Sequence, residues 1–189
     1  MKQVASPLMS GLLYPILQSL DEEHLEVDAQ FGGVDQRKIF MFARENLPKI
    51  GYKKRIHLMS PLIPGLGKSG KMSSSEPSSK IDFDDTEKQL KKKINKAYCE
   101  DGNLETGLLP LCKYLLFRDL EEFIIDRPEE YGGTIKFETY EELEKAFEEK
   151  KLSSIDLKAG VIKYLEKYAK PMRDLLDKHK ELIKEAYSN

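Results

Sequence analysis

LEVDAQFGGVDQRKIFMFARENLPKIGYKKRIHLM, residues 25–59, is the stretch whose reading decides the fold. LEVDAQF (25–31) is short and alternates apolar with polar residues, which predicts a strand. Gly32 and Gly33 then offer a tight turn. Residues 34–47 place Ile39, Phe42, Ala43 and Leu47 on one side of a helix. Gly51 ends that helix, and RIHLM (55–59) reads as a second strand. Strand, glycine turn, helix and strand make a βαβ unit, so the two strands are expected to run parallel. Parallel sheets are stable only when larger and covered on both faces. The stretch therefore reads as the second half of an α/β sheet whose first half is absent.

On the N-terminal side, PLMSGLLYPILQSLD (7–21) predicts a helix starting near Pro7 and bent at Pro15. Leu8, Leu12, Leu13, Ile16, Leu17 and Leu20 form a broad apolar side, expected to face inward. On the C-terminal side the pattern turns helical. Asp84 with Glu87 reads as a capping box opening a helix to about Tyr98. A second helix is expected over roughly 104–118, and 123–137 is irregular or extended. Thr139 with Glu142 is another capping box. Ser153 or Ser154 can cap the helix from Ile155 to Lys170, which Pro171 kinks or divides. The fold class is α/β: a partial parallel sheet over about 1–80, followed by a helical domain over about 81–189.

Charge narrows the function. The 189 residues carry 31 Lys and Arg against 33 Asp and Glu, a net charge of −2, so any nucleic-acid surface must be local. Cys99 and Cys112 lack metal-ligand spacing and suit a reducing compartment. No apolar run approaches the roughly 20 residues of a membrane span, and a cytoplasmic setting is expected. His24, His57 and His179 lie far apart in sequence, so no metal is assigned.

Four groups of residues could carry chemistry. Tyr14, Gln18 and Asp21 stand at i, i+4 and i+7, a polar row able to read a small ligand or simply to face water. Asp35 and Gln36 open the helix after the first strand, where parallel sheets bind ligands, while Asp28 and Gln30 stand in the strand itself. GKSGKMSSSEPSSK (67–80) crowds two glycines, six serines and three lysines into one loop. With Gly65 it approaches a P-loop, but Met72 stands where a magnesium-binding hydroxyl is required; a flexible linker is the plainer reading. Finally, Lys88, Lys91, Lys92, Lys93 and Lys96 share one predicted helix, opposite Leu90, Ile94 and Ala97. They suit either phosphate contact or solvation.

Taken together, these pieces resemble a known family. KMSSS (71–75) resembles the KMSKS loop of class I aminoacyl-tRNA synthetases. SGLLYPILQSLD (10–21) with VDAQFGGVDQRKIF (27–40) resembles the tyrosine-specific family of archaeal and eukaryotic type. The resemblance runs from Met1 to about Tyr187. It implies a Rossmann-like catalytic segment over 1–80 and an anticodon-binding domain over 81–189, together with ATP-dependent formation of tyrosyl-adenylate and transfer of tyrosine to tRNA(Tyr). ATP, with Mg2+, and tyrosine are the implied substrates, tRNA(Tyr) the partner, and a homodimer the assembly.

The resemblance also assigns residues. Lys71, Met72, Ser73, Ser74 and Ser75 form the ATP loop, with Lys71 and the three serines meeting the phosphates. Tyr14, Gln18 and Gln36 hold the α-amino end of tyrosine, and Asp21 accepts from its phenol. Tyr131 and Asp156 contact the first anticodon base, with Ser153-Ser154 replacing the usual His-Pro. No HIGH-type ATP motif is found, so the chain is expected to be the C-terminal half of a synthetase and inactive alone. A non-catalytic tRNA-binding fragment and the sibling tryptophan family are the rival readings.

Overall fold

A computed structural model describes residues 8–73 and 75–186. The chain divides into two compact units, Met1–Leu62 and Ile63–Asn189. Each is mixed α/β, and the described residues are mostly helical with two short sheets.

The first unit contains α1 (Met9–His24), β1 (Ala29–Gly33), α2 (Arg37–Asn46) and β2 (Ile56–Ser60). Strands β1 and β2 pair in parallel, from Ala29 opposite Ile56 to Gly33 opposite Ser60, as the βαβ reading requires. Several details differ from the sequence reading. The strand starts at Ala29 rather than Leu25, because α1 continues to His24 and Glu26 reverses the chain with φ 53°. Gly32 and Gly33 are the last residues of β1, and the turn is the 3-10 segment Val34–Gln36. Their lack of a side chain makes room: a Cβ on Gly32 would stand 2.9 Å from Phe40 Cζ, and one on Gly33 2.3 Å from Asp35 Oδ1. Phe40, Ala43 and Leu47 are buried, whereas Phe42 is exposed, one position off the predicted face.

The larger correction concerns α1. Pro7, its expected start, lies outside the described residues. Leu8, Leu12, Leu13, Ile16 and Leu17 are exposed, and the buried residues of the helix are Ser19 and Glu22. Among the described residues of the first unit nothing covers Leu12, Leu13, Ile16 or Leu17, while α1 packs against α2 and Glu22 reaches His57 of β2. Ser19 is satisfied within the helix, donating to the Pro15 carbonyl at 2.6 Å.

The second unit contains α3 (Glu87–Lys96), α4 (Leu108–Tyr114), β3 (Phe123–Ile125), β4 (Ile135–Phe137), α5 (Tyr140–Glu148), α6 (Ser154–Lys178) and α7 (Lys180–Ala186). The segment 123–137 is an antiparallel pair, with Phe123 opposite Phe137. Leu90 and Ile94 of α3, Phe123 of β3, Phe147 of α5 and Leu157 and Val161 of α6 are fully buried in one core. Gly160 permits the approach of α6 to β3: a Cβ there would lie 2.8 Å from the Phe123 ring.

Helix ends follow local chemistry. Thr86, not Asp84, caps α3, in a capping box with Gln89. The nearby carboxylate of Asp85 is already engaged, accepting from the Asp82 N–H and pairing with Lys93 at 2.6 Å. Thr139 caps α5 through the Glu142 N–H, but Glu142 reaches back to the N–H of Glu138. The predicted 104–118 helix shrinks to α4 and a 3-10 turn at Leu116–Arg118. Pro171 lies inside α6 without ending it. The turn around it is tied down by tertiary contact, since Arg173 donates to the Asp85 carbonyl at 3.0 Å. The break falls at His179 instead.

Candidate functional site

In the first unit, α1 carries Tyr14, Gln18 and Asp21 along one side. Tyr14 is 64% exposed, Asp21 is exposed and Gln18 is half-buried. Gln36 comes from the turn after β1, and Gln18 Nε2 donates to Gln36 Oε1 at 2.9 Å. Gln36 Nε2 in turn donates to Asp35 Oδ2 at 2.7 Å. Gln18 Oε1 is buried and has no hydrogen-bond partner among the described residues. An orphaned buried acceptor is costly, so it marks where a donor from outside the chain is wanted. The helix and the strand-end turn are thus brought together around one free acceptor, with the Asp21 carboxylate one helical turn further along. Such a set can hold an ammonium group and accept from a hydroxyl.

The serine loop belongs to the second unit and is shaped before Lys71 is reached. Gly65 N–H donates to the Gly70 carbonyl and Gly70 N–H to that of Gly67, each at 2.9 Å. Gly70 has φ +63°, and a Cβ on Gly65 would stand 2.5 Å from the Lys71 carbonyl oxygen. Ser79 is buried and organises the far side. Its hydroxyl accepts from Ser73 N–H at 3.0 Å and donates to the Glu76 carbonyl at 2.7 Å. Its carbonyl accepts from Leu66 N–H, and Leu66 accepts from Tyr98 N–H, so the loop's stem is fastened to the helices. Ser73 and Ser75 share a hydroxyl–hydroxyl bond of 2.8 Å. Ser74 lies outside the described residues.

Between these anchors Lys71 is exposed, with no ion pair among the described residues. Lys68 is engaged, its ammonium 5.2 Å from the Tyr98 ring centroid. A compact cation on a constrained loop suits an incoming phosphate. Met72 is exposed beside it. The role of Ser79 was not legible, because nothing distinguishes it from five other serines in the loop until the chain closes on itself.

A third group surrounds the start of α6. Ser153 caps the helix, accepting from Asp156 N–H at 3.1 Å and donating to Asp156 Oδ2 at 2.8 Å. Arg127 lies 3.7 Å from Asp156 and also donates to the Gly133 carbonyl at 3.0 Å. It therefore ties Asp156 to the turn that carries Tyr131, whose ring is 67% exposed. Gly132 and Gly133 close that turn with φ of +91° and +65°. An exposed ring with a carboxylate linked to the same turn can stack on a base and accept from its edge. Arg127 was missed in the sequence, since its link to Asp156 spans the whole of α5.

The lysine-rich α3 is not one basic face. Lys93 is turned inward to Asp82 and Asp85, and Lys91 pairs with Glu87. Lys88, Lys92 and Lys96 remain on the exposed side. Among the described residues no three His, Cys, Asp or Glu side chains are grouped to hold a metal, and no helix is long and apolar enough to cross a membrane.

Asp101 supplies a pH-sensitive support to this third group. It accepts from Ser154 N–H at 2.6 Å, and that backbone bond holds its carboxyl below the ordinary value of 3.8. A depressed folded-state value stabilises the fold above the unfolded value and ceases to do so as pH falls through the folded one. Asp101→Ala is expected to lower stability at pH 7 by of order 0.5–1 kcal/mol, as for an exposed helix cap. Thermal melts against pH check this: the gap between the two proteins should close below about pH 3.8.

The comparisons with known proteins give the family. The model of the family described as tRNA synthetases class I (W and Y) matches residues 1–169. The cytoplasmic tyrosine–tRNA ligase of Saccharomyces cerevisiae is 53% identical over 95% of this chain and 48% of its own length. That of Gallus gallus is 53% identical over 100% of this chain and 36% of its own. The chain thus spans about half or less of these two relatives. Among solved structures, the tyrosyl-tRNA synthetase of Archaeoglobus fulgidus complexed with L-tyrosine superposes with a TM-score of 0.78 at 37% identity, covering 92% of this chain and 54% of that one. The polar row on α1, the KMSSS loop and the family match lead to one conclusion: the chain belongs to the class I tRNA synthetases of the tryptophan and tyrosine type.

Proposed function

We propose that this chain is part of a cytoplasmic tyrosine–tRNA ligase, which activates tyrosine with ATP and transfers it to tRNA(Tyr). In this reading residues 1–80 end a Rossmann-like catalytic domain and 81–189 form the anticodon-binding domain. The observation that carries the proposal is the unpartnered Gln18 Oε1 beside the Gln18–Gln36 bond, on the helix that also presents Tyr14 and Asp21.

Tyrosine is held at its ammonium by Gln18, Gln36 and Tyr14, and Asp21 accepts from its phenol. ATP enters as its magnesium complex. The tyrosine carboxylate attacks the α-phosphate and pyrophosphate leaves. Lys71 neutralises charge as it gathers on the leaving group, and Ser73, Ser74 and Ser75 offer donors to the phosphates. Asp156 accepts from the edge of the first anticodon base while Tyr131 stacks on it, and the homodimer of the family is the expected assembly.

The test is amino-acid-dependent ATP–pyrophosphate exchange by a hybrid in which this chain replaces the matched stretch of the yeast relative. Exchange with tyrosine and not tryptophan supports the reading. Exchange with tryptophan would assign the sibling specificity. A folded hybrid that binds tRNA without any exchange would favour a purely tRNA-binding role.

A further inference from the structure

The first unit contains a buried side-chain contact that takes no part in the chemistry above. His57 Nε2 of β2 and Glu22 Oε2 of α1 lie 2.8 Å apart, and both side chains are 1% exposed. The other ring nitrogen, Nδ1, is buried without a partner among the described residues, so the bond to Glu22 is the one that holds the imidazole. The imidazole is stacked on Phe40 of α2, with centroids 4.9 Å apart and planes 16° from parallel. Phe40 occupies the space left by the missing side chain of Gly32. A chain of contact therefore runs from the end of β1 through Phe40 and His57 to Glu22.

Glu22 follows Asp21 directly and lies one turn beyond Gln18, on the same helix. We propose that Glu22 and His57 are a positioning pair, which sets the rotation of α1 about its axis and so aims Gln18 and Asp21 at the substrate. This rests on the tyrosine reading given above. Among the described residues Ser19 and Glu22 are the buried positions of α1, and Glu22 is the one whose side chain bonds to a strand. Arg55, which pairs with Glu23 at 2.7 Å, also bonds the Val27 and Lys53 carbonyls and so fastens the end of the helix and the chain after it. The buried Glu22–His57 contact lies nearer the reading residues.

The geometry is sensitive. A helix turn of about 10° moves a side-chain tip some 6 Å from the axis by about 1 Å. Misplacement on that scale costs on the order of a hundredfold in a reacting site.

The experiment measures exchange kinetics in the hybrid. Glu22→Ala and His57→Ala should each raise the tyrosine KM about tenfold to a hundredfold, leave the ATP KM within about twofold, and shrink the preference for tyrosine over phenylalanine. The double variant should be no worse than the worse single one. His57→Gln should recover most of the loss, because its amide nitrogen reaches about where Nε2 stands; it and Glu22→Gln carry the comparison if the alanine variants do not fold. Folded variants with an unchanged tyrosine KM and unchanged preference would make the pair merely structural and overturn the proposal. So would equal losses for tyrosine and ATP. If the unaltered hybrid shows no tyrosine-dependent exchange, the functional reading itself fails and this inference falls with it.

Discussion

Asp21→Ala should reduce the preference for tyrosine over phenylalanine by about a thousandfold, a large part of the 10⁴–10⁵ that a site built around a hydroxyl can reach. The reason is asymmetric. With Asp21 in place, phenylalanine leaves a desolvated carboxylate without its donor, which is expensive. With alanine, both side chains meet the same apolar wall and differ little. The Asp21 carboxylate has no hydrogen-bond partner among the described residues, so its acceptors are free for a ligand. The preference should fall from both sides: tyrosine loses its acceptor, and phenylalanine, which no longer strands a carboxylate, is activated better than before. The check is kcat/KM for both amino acids in the exchange assay. A ratio within tenfold of the unaltered protein would remove Asp21 from the role of phenol reader.

Lys71→Ala should slow adenylate formation by about 10²–10³, the usual effect of deleting one preorganised electrostatic partner of a transition state. Tyrosine binding should change less than twofold. An interaction made chiefly as pyrophosphate departs lowers kcat and kcat/KM together. Lys68→Ala is the informative neighbour. Its ammonium already rests over the Tyr98 ring, so its removal should loosen the loop's stem without a comparable loss in rate. Single-turnover formation of the adenylate distinguishes the two. A near-normal rate for Lys71→Ala beside a large loss for Lys68→Ala would exchange their roles.

The parallel βαβ unit was legible from residues 25–59 because period-2 alternation, paired glycines and a helical repeat occur there in the right order. The purpose of the glycines was not. They read as a turn, yet they are strand residues that admit Phe40 and Asp35, a contact across the helix that local pattern does not encode. Helix α1 misled for a related reason. Amphipathicity tells which side is apolar, not which side is covered, and here the buried residues are Ser19 and Glu22. The Tyr14–Gln18–Asp21 row could be read from spacing, but the Gln18–Gln36 bond needs the fold. Likewise Asp156 and Tyr131 could be named, whereas Arg127, which joins them, could not. Asp84 lost the cap of α3 to Thr86 through competition between adjacent residues, a choice settled by a few hydrogen bonds.

The exposed leucines of α1 also decide how this polypeptide behaves as a material. Leu12, Leu13, Ile16 and Leu17 face outward on successive turns, with Phe31 and Leu58 of the sheet likewise uncovered. Exposed apolar surface of this kind is a site of association. Salts that are excluded from protein surfaces strengthen such contacts. In ammonium sulfate the chain should therefore salt out early for its net charge. It should also collect at air–water boundaries, so thin films for electron microscopy would hold it preferentially with α1 toward the air.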